Sequence, residues 1–320
     1  MTSGTFPVVA VTRDDLPGTG LERLSRHARL ACWSSARRPS PAELASLCAD
    51  ATGLICQSTD RIDDPLLAAC PELRVVSTIG VGYDHLDLPA LTKRRIAAGN
   101  TPGVLTETTA DLAFALMLAA GRRLAEAIDL ARTGDWQPGD INFLLGQDIH
   151  GATLGLIGYG AIGRAVARRA HGFGMRVLHH SRTPKPDDLS QHVPLTELLA
   201  ESDFVSLHTP LTEDTTGLIG QRELAAMKPT AVLINTARGG VVDQAALVDA
   251  LQQHKIFAAG LDVTAVEPTP AADVLLTLAN CIVLPHIGSA SLATRTAMVD
   301  RAVDNVIAGI ANQPLPHPIA

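Results

Sequence analysis

Between Thr153 and Arg182 the chain reads TLGLIGYGAIGRAVARRAHGFGMRVLHHSR, and no other stretch constrains the fold as much. Thr153 to Ile157 is a short apolar run, long enough for a buried strand. Gly158-Tyr159-Gly160-Ala161-Ile162-Gly163 follows at once, and Arg164 to His171 then places Ala165, Val166 and Ala170 at helical spacing. Met175 to His180 predicts a second strand. In a chain with 26 glycines the glycine spacing alone is a weak signal. Strand, glycine turn, helix and strand within about 30 residues are a strong one, and the physical reading is a dinucleotide site. Gly158 permits the tight turn, Gly160 lets backbone approach a pyrophosphate, and Gly163 lets the helix pack closely on the strand. The unpaired N–H groups of the helix start face the phosphates.

At 320 residues the chain exceeds the size at which single cores stop growing, so two domains are expected. The net charge of −7 argues against a nucleic-acid binder. Lys93-Arg94-Arg95 and Arg168-Arg169 read as solvated helix faces or ends. No apolar run approaches the roughly 20 residues of a membrane span, and the N-terminus lacks the pattern of a signal peptide. Five cysteines, Cys32, Cys48, Cys56, Cys70 and Cys281, show no C-x-x-C pairing and are expected as buried thiols in a reducing cytoplasm. No metal site is expected.

Strand and helix signals alternate from the start. Strands are predicted at Pro7 to Val11, Ala28 to Trp33, Gly53 to Cys56 and Arg74 to Ser77, with helices between them, which implies a parallel sheet over roughly the first hundred residues. Thr78 to His85 is a loop beyond the last of these strands, and the glycines flanking Val81 offer backbone N–H groups to an anion, or simply make a turn. Asn100-Thr101-Pro102-Gly103 marks the crossing to a second domain. Val104 to Arg123 reads as a helix buried on most sides, Leu124 to Thr133 as a second helix ended by Gly134. Asp135 to Gly151 is a long irregular segment whose apolar side chains would suit a subunit contact. Six strands are expected in the second domain, and one long helix, Ser291 to Ala311, closes the chain. The two α/β units, joined near Thr101 and again near Ser289, are expected to form a cleft.

Three ionisable residues lie just past strands of the second domain: Arg238, Glu267 and His286. An arginine fork holds a carboxylate by two hydrogen bonds. Histidine, titrating near pH 6.5, can give or take the proton that accompanies hydride transfer. A carboxylate bonded to that imidazole fixes its tautomer and stabilises its cation. Singly each has an ordinary structural reading; together, beyond strand ends of a dinucleotide domain, they read as a site.

Several separate signatures then occur in order: Ser77 to Asp87, Thr101 to Arg123, Gly155 to Gly163, Ile234 to Asp243, Ala258 to Pro268 and Leu284 to Arg295. By these the chain resembles the D-isomer-specific 2-hydroxyacid dehydrogenases over nearly its whole length, and within them the glyoxylate/hydroxypyruvate reductases. The resemblance implies two Rossmann-like/flavodoxin-like α/β domains with parallel sheets and a cleft between them. Residues 1–100, completed by a C-terminal helix at 290–320, would form the substrate-binding domain, and 101–289 the dinucleotide-binding Rossmann domain. It implies a catalytic set of Arg238, Glu267 and His286, with Glu267 supporting His286 as proton donor. Val81, Gly82, Arg238, His286 and Ser289 would bind substrate. Thr109, Gly158, Gly160, Ala161, Ile162, Gly163, Ser181, Arg182, Thr183, Lys185, Pro210, Thr236, Asp262 and Gly288 would bind the cofactor. It further implies a homodimer joined through the nucleotide domains and the Leu124 to Gly151 region. In one departure, Gln137 to Phe143 carries no second tryptophan after Trp136, which bears on substrate size.

The expected activity is NADPH-dependent reduction of a small 2-oxo acid, glyoxylate or hydroxypyruvate, to glycolate or D-glycerate. About 20 residues beyond Gly158, where NAD-using sites carry an acid for the ribose hydroxyls, stand His180-Ser181-Arg182. Arg182, with Lys185 and a protonated His180, suits the 2′-phosphate of NADP, so NADPH is expected ahead of NADH. Reduction of 2-ketogluconate is the nearest alternative. Formate or phosphite oxidation is a weaker one, and a dinucleotide-sensing, corepressor-like binding module is the alternative of another class. No nucleic-acid or membrane partner is expected.

Overall fold

Every described strand of this protein runs parallel to its neighbours, as the α/β alternation requires. The computed structural model describes residues 6–136, 139–184 and 188–319. It divides into two units, Met1–Leu105 with Ser289–Ala320, and Thr106–Gly288. The expected divisions at 100 and 289 therefore move to follow Leu105 and Gly288, and Ser289 falls in the first unit.

The first unit opens with β1 (Val8–Val11), α1 (Gly20–Ser25), β2 (Arg29–Cys32) and α2 (Pro41–Cys48). It continues with β3 (Gly53–Cys56), α3 (Asp64–Ala69), β4 (Val75–Thr78), α4 (Leu88–Lys93) and β5 (Ala97–Gly99). The second unit holds α5 (Thr106–Gly121), α6 (Leu124–Thr133), β6 (Thr153–Ile157), α7 (Ala161–Gly172), β7 (Arg176–His180) and β8 (Gln191–His192). After these come α8 (Leu195–Glu201), β9 (Phe204–Leu207), α9 (Gln221–Ala226) and β10 (Val232–Asn235). It ends with α10 (Gln244–Gln252), β11 (Ala258–Leu261) and β12 (Cys281–Val283), and α11 (Leu292–Ile310) returns to the first unit.

Three helices of the first unit start by one device. Ser40, Asp63 and Asp87 each accept the backbone N–H of the third helical residue, and Pro41, Pro65 and Pro89 occupy the first turn, where no N–H is needed. The sheet order is β2-β1-β3-β4-β5. Here the structure adds α4 and β5 to the expected elements, both too short for periodicity to reveal. The closing helix α11 is fixed to this sheet by the buried Asn305. Its amide donates to Ser77 Oγ (3.1 Å) and to the carbonyl of Asn100 (3.0 Å), and its oxygen accepts from His317 N–H (2.9 Å). Both polar atoms of a buried amide are thereby occupied.

Among the described residues the second sheet has seven strands, β12-β11-β10-β9-β6-β7-β8, one more than expected, because the two-residue β8 joins its edge. α5 is buried along Ala110, Ala113, Phe114, Met117 and Ala120 but leaves Glu107, Asp111 and Ala115 exposed. Arg168 lies exposed on α7, as expected, and pairs with Glu107, whereas Arg169 is half-buried and pairs with Glu107 and Asp111 of α5 (2.5 to 2.9 Å). Arg94 likewise pairs with Asp64. Of the five free cysteines, Cys48, Cys56 and Cys70 are buried, whereas Cys32 and Cys281 are only half-buried. Among the described residues no helix is long and apolar enough to cross a membrane.

Candidate active site

The second sheet winds outward from β6 to β7 and β8, then resumes on its other side at β9. Ligands of open parallel sheets bind beyond the strand ends at such a reversal. Gly158, just past β6, has φ +96°, and a Cβ there would lie 2.5 Å from the carbonyl carbon and oxygen of His208, just past β9. A Cβ on Gly163 would lie 2.4 Å from the Gly158 carbonyl oxygen. Both positions therefore demand glycine. Gly160 differs, because a Cβ there meets nothing within 4 Å. It stands in open space before Ala161 and Ile162, at the start of the 12-residue α7, where unpaired N–H groups and the helix dipole favour an anion. At the end of β10, Thr236 Oγ1 is buried with no hydrogen-bond partner among the described residues. Open space at Gly160 over a helix start and an orphaned hydroxyl at a strand end fit a dinucleotide. Pro210, past β9, is exposed.

The three candidate catalytic residues lie on successive strand ends. Arg238 follows β10 in a turn fixed by Asn235, whose amide donates to the Arg238 carbonyl (2.9 Å) while its oxygen accepts from Ala237 N–H (3.0 Å). The half-buried Arg238 guanidinium donates to the carbonyl of Ala237 (2.8 Å). Glu267 follows β11 and is oriented by Thr264, whose N–H donates to Glu267 Oε1 (3.4 Å). Glu267 Oε2 lies 2.7 Å from Nδ1 of His286, which follows β12. A carboxylate accepts, so Nδ1 carries the proton and Nε2 is the ring nitrogen left for chemistry.

The backbone of His286 is held as well. It adopts φ +55°, a conformation rare for a side-chain-bearing residue. Its N–H donates to the Asp262 carbonyl (3.0 Å), and the buried Asp262 carboxylate accepts from Ile287 N–H and Gly288 N–H, each at 2.7 Å. Burial raises the Asp262 carboxyl above the usual carboxylate range, against the lowering by these two N–H groups. Thr109, buried on the first turn of α5, would stand 3.5 Å from a Cβ on Gly288. Thr109, Asp262 and Gly288 are thus brought together.

At the end of β7, Ser181 Oγ donates to the Thr183 carbonyl (2.8 Å), and Arg182 is exposed with no ion-pair partner among the described residues. Lys185 lies outside the described residues, as do Gln137 and Pro138 of the segment after Trp136. The remaining candidates belong to the first unit. The carbonyls of Gly80 and Val81 accept from Thr101 N–H (2.9 Å) and the Asn100 amide (2.8 Å). The N–H groups of Val81 and Gly82 donate to nothing among the described residues. The Ser289 carbonyl accepts from Ser291 N–H (2.9 Å) ahead of α11.

Sequence reasoning missed Asn235, Thr264 and Gln244, which set the two turns. Thr264 Oγ1 donates to the Val266 carbonyl (2.8 Å), and Gln244 Oε1 accepts from Ala265 N–H (3.0 Å). Asn235 had a readable signal, a polar residue ending an apolar strand; Gln244, 21 residues from its partner, had none.

Residues 114–288 match the model of the D-isomer-specific 2-hydroxyacid dehydrogenase NAD-binding domain. The glyoxylate reductase of Korarchaeum cryptofilum is 48% identical over 307 residues, 94% of this chain and 92% of that protein. A crystal structure of a Thermus thermophilus protein superposes with a TM-score of 0.92 at 47% identity, covering 98% of this chain and all of that one. The NADPH-dependent glyoxylate/hydroxypyruvate reductase of Sinorhizobium meliloti, in complex with NADP and malonate, gives 0.89 at 36% identity, covering 98% and 97%. With this agreement in sequence and fold, and with the strand-end residues in place, the chain belongs to the D-isomer-specific 2-hydroxyacid dehydrogenases.

Proposed function

We propose that this chain reduces glyoxylate or hydroxypyruvate to the 2-hydroxy acid, with NADPH preferred over NADH. The observation that carries the reading is the 2.7 Å bond between His286 Nδ1 and Glu267 Oε2, on strand ends next to the Arg238 turn. A bound nicotinamide dinucleotide supplies a hydride for the carbonyl carbon of the substrate. Arg238 binds the substrate carboxylate through its planar fork. His286 gives the proton on Nε2 to the carbonyl oxygen, so that the C=O bond gains one hydride and one proton and becomes a hydroxyl. Glu267 stabilises the imidazolium before transfer, and the neutral imidazole left afterwards regains its proton from water. The names of the relatives favour glyoxylate and hydroxypyruvate over 2-ketogluconate.

The cofactor preference is supported by Ser181 standing where an acid would repel a 2′-phosphate, and by the exposed Arg182 beside it. A homodimer is part of the proposal. The helix α6 buries none of its residues, and Leu124, Ile128, Trp136, Ile141, Phe143 and Leu145 are all exposed along it and the segment that follows. So many large apolar side chains in one stretch mark an interaction surface. Light scattering at micromolar concentration tests it, and a monomer refutes it.

The deciding experiment measures kcat/KM for glyoxylate, hydroxypyruvate, 2-ketogluconate, pyruvate and phenylpyruvate with each cofactor. The two short substrates with NADPH should lead; a higher value for 2-ketogluconate or phenylpyruvate overturns the substrate assignment.

A further inference from the structure

We propose that His192 is a positioning residue that sets cofactor choice by holding the turn from which Arg182 projects; the inference rests on the NADPH reading above. β8 is only two residues long and lies at the free edge of the sheet, paired with β7 in the register Leu178↔Gln191 and His179↔His192. A ladder this short holds little by itself, and the residues flanking β8, Leu189, Ser190 and Val193, are tied by histidines instead. His171 Nε2 bonds the Leu189 carbonyl (2.9 Å), His179 Nδ1 bonds Ser190 Oγ (2.9 Å), and His180 Nδ1 bonds the Val193 carbonyl (3.2 Å). His192 Nε2 bonds the carbonyl of Ser181 (3.2 Å).

The last of these bonds concerns the cofactor. A carbonyl oxygen only accepts, so His192 carries its proton on Nε2 and donates it to Ser181. The ring is held for this by its neighbours: it lies edge-on to His179 at 5.1 Å between centroids and near-parallel to His180 at 6.2 Å. Ser181 in turn bonds Thr183 through its hydroxyl (2.8 Å). The backbone on both sides of Arg182 is therefore fixed, while its side chain remains exposed. A backbone fixed in advance leaves less freedom to lose when Arg182 meets a phosphate, and preorganisation of this kind raises affinity without any new contact. NADH lacks the 2′-phosphate, so loss of the tie should weaken NADPH alone.

The test titrates the full chain calorimetrically with NADPH, NADH, adenosine 2′,5′-bisphosphate and 5′-AMP, beside the variants His192→Phe and His192→Gln. Phenylalanine keeps the ring and removes the donor; glutamine keeps an N–H at about the reach of Nε2 and is never charged. His192→Phe should bind NADPH and adenosine 2′,5′-bisphosphate about 2- to 10-fold more weakly, the worth of one hydrogen bond, with NADH and 5′-AMP unchanged. His192→Gln should restore most of the loss. An unchanged selectivity in His192→Phe overturns the inference and leaves the NADPH reading standing. Equal losses in both variants overturn it too, since the donor then does not matter. A wild-type chain that binds the two cofactors equally removes the NADPH reading and this inference with it. Equal weakening of all four ligands by His192→Phe marks general damage to the edge and overturns the specific role.

Discussion

Gly239 and Thr264 touch so closely that a Cβ on Gly239 would lie 1.9 Å from the Thr264 carbonyl oxygen. This contact joins the turn after β10 to the turn after β11, and so sets the Arg238 backbone against the segment that orients Glu267. The neighbour is backbone, so a methyl group can only be accommodated by moving one turn. Gly239→Ala should cost about 1–3 kcal/mol of stability, as overpacking usually does. It should also raise the KM for the 2-oxo acid, because the Arg238 fork is displaced. Chemical unfolding and steady-state kinetics on the same preparation check both parts; wild-type kinetics would show that the turn does not position Arg238.

Proton donation by His286 sets the second expectation. His286→Ala should lower kcat by about 10²–10⁴-fold, the usual loss for a general acid, with cofactor affinity nearly unchanged. Glu267→Gln keeps the shape and removes the charge that holds the imidazolium. It should lower kcat while leaving cofactor affinity nearly unchanged, because the ring nitrogen Nδ1 loses its charged partner. Near-normal turnover by His286→Ala at neutral pH would refute the assignment.

The carboxylate contact of Arg238 is tested by changing either partner. Arg238→Lys keeps the charge and loses the fork, so kcat/KM should drop with contributions from both constants. Methyl esters of the 2-oxo acids should be poor substrates of the wild-type chain. Equal rates on an acid and its ester would rule out the contact.

Much of this site was legible because the chemistry sits at strand ends and the strands announce themselves. β3, β9 and β11, and the helix α10, lie where the apolar runs place them, since a buried parallel strand must be apolar throughout. The glycine turn was readable because Gly158 and Gly163 admit no other residue. What could not be read was set by partners far along the chain. β8 is two residues held by histidine bonds rather than by its own pattern, and β5 is three residues whose place beside β4 depends on register. Arg169 reads as an ordinary helix-surface cation until α5 brings Asp111 and Glu107 beside it, 58 and 62 residues away. The tie of Gln244 to the Glu267 turn is of the same kind.

Acid stability should depend on His208. Burial pushes its imidazole down to about 4 from the ordinary 6.5, and Nε2 shares a hydrogen bond with Ser206 Oγ (2.9 Å). Below about pH 6.5 the unfolded chain takes up a proton there that the folded chain refuses. Stability should therefore fall as pH drops from about 6.5 toward 4, and the contribution should level off below that. Urea unfolding of the wild type and His208→Asn at about pH 7 and about pH 5 isolates the effect. The wild type should lose more between the two pH values, and equal losses would show that His208 is not held neutral.

Cofactor choice rests on the turn past β7. An acid there would accept hydrogen bonds from the ribose hydroxyls of NADH and repel the 2′-phosphate of NADPH. Ser181 stands at that place, with its hydroxyl turned to the Thr183 carbonyl and the exposed Arg182 next in the chain. Charge-assisted bonds of a guanidinium to a phosphate contribute roughly 1.5–3 kcal/mol each. Arg182→Ala should thus raise the KM for NADPH by about 10- to 100-fold, with little effect on NADH or on kcat. Ser181→Asp should go further and favour NADH outright, since it adds the repulsion and the ribose acceptor together. Both variants are compared by kcat/KM for the two cofactors at a saturating 2-oxo acid. If Arg182→Ala kept the wild-type ratio, the 2′-phosphate would have to be held elsewhere, and the preference would not come from this turn.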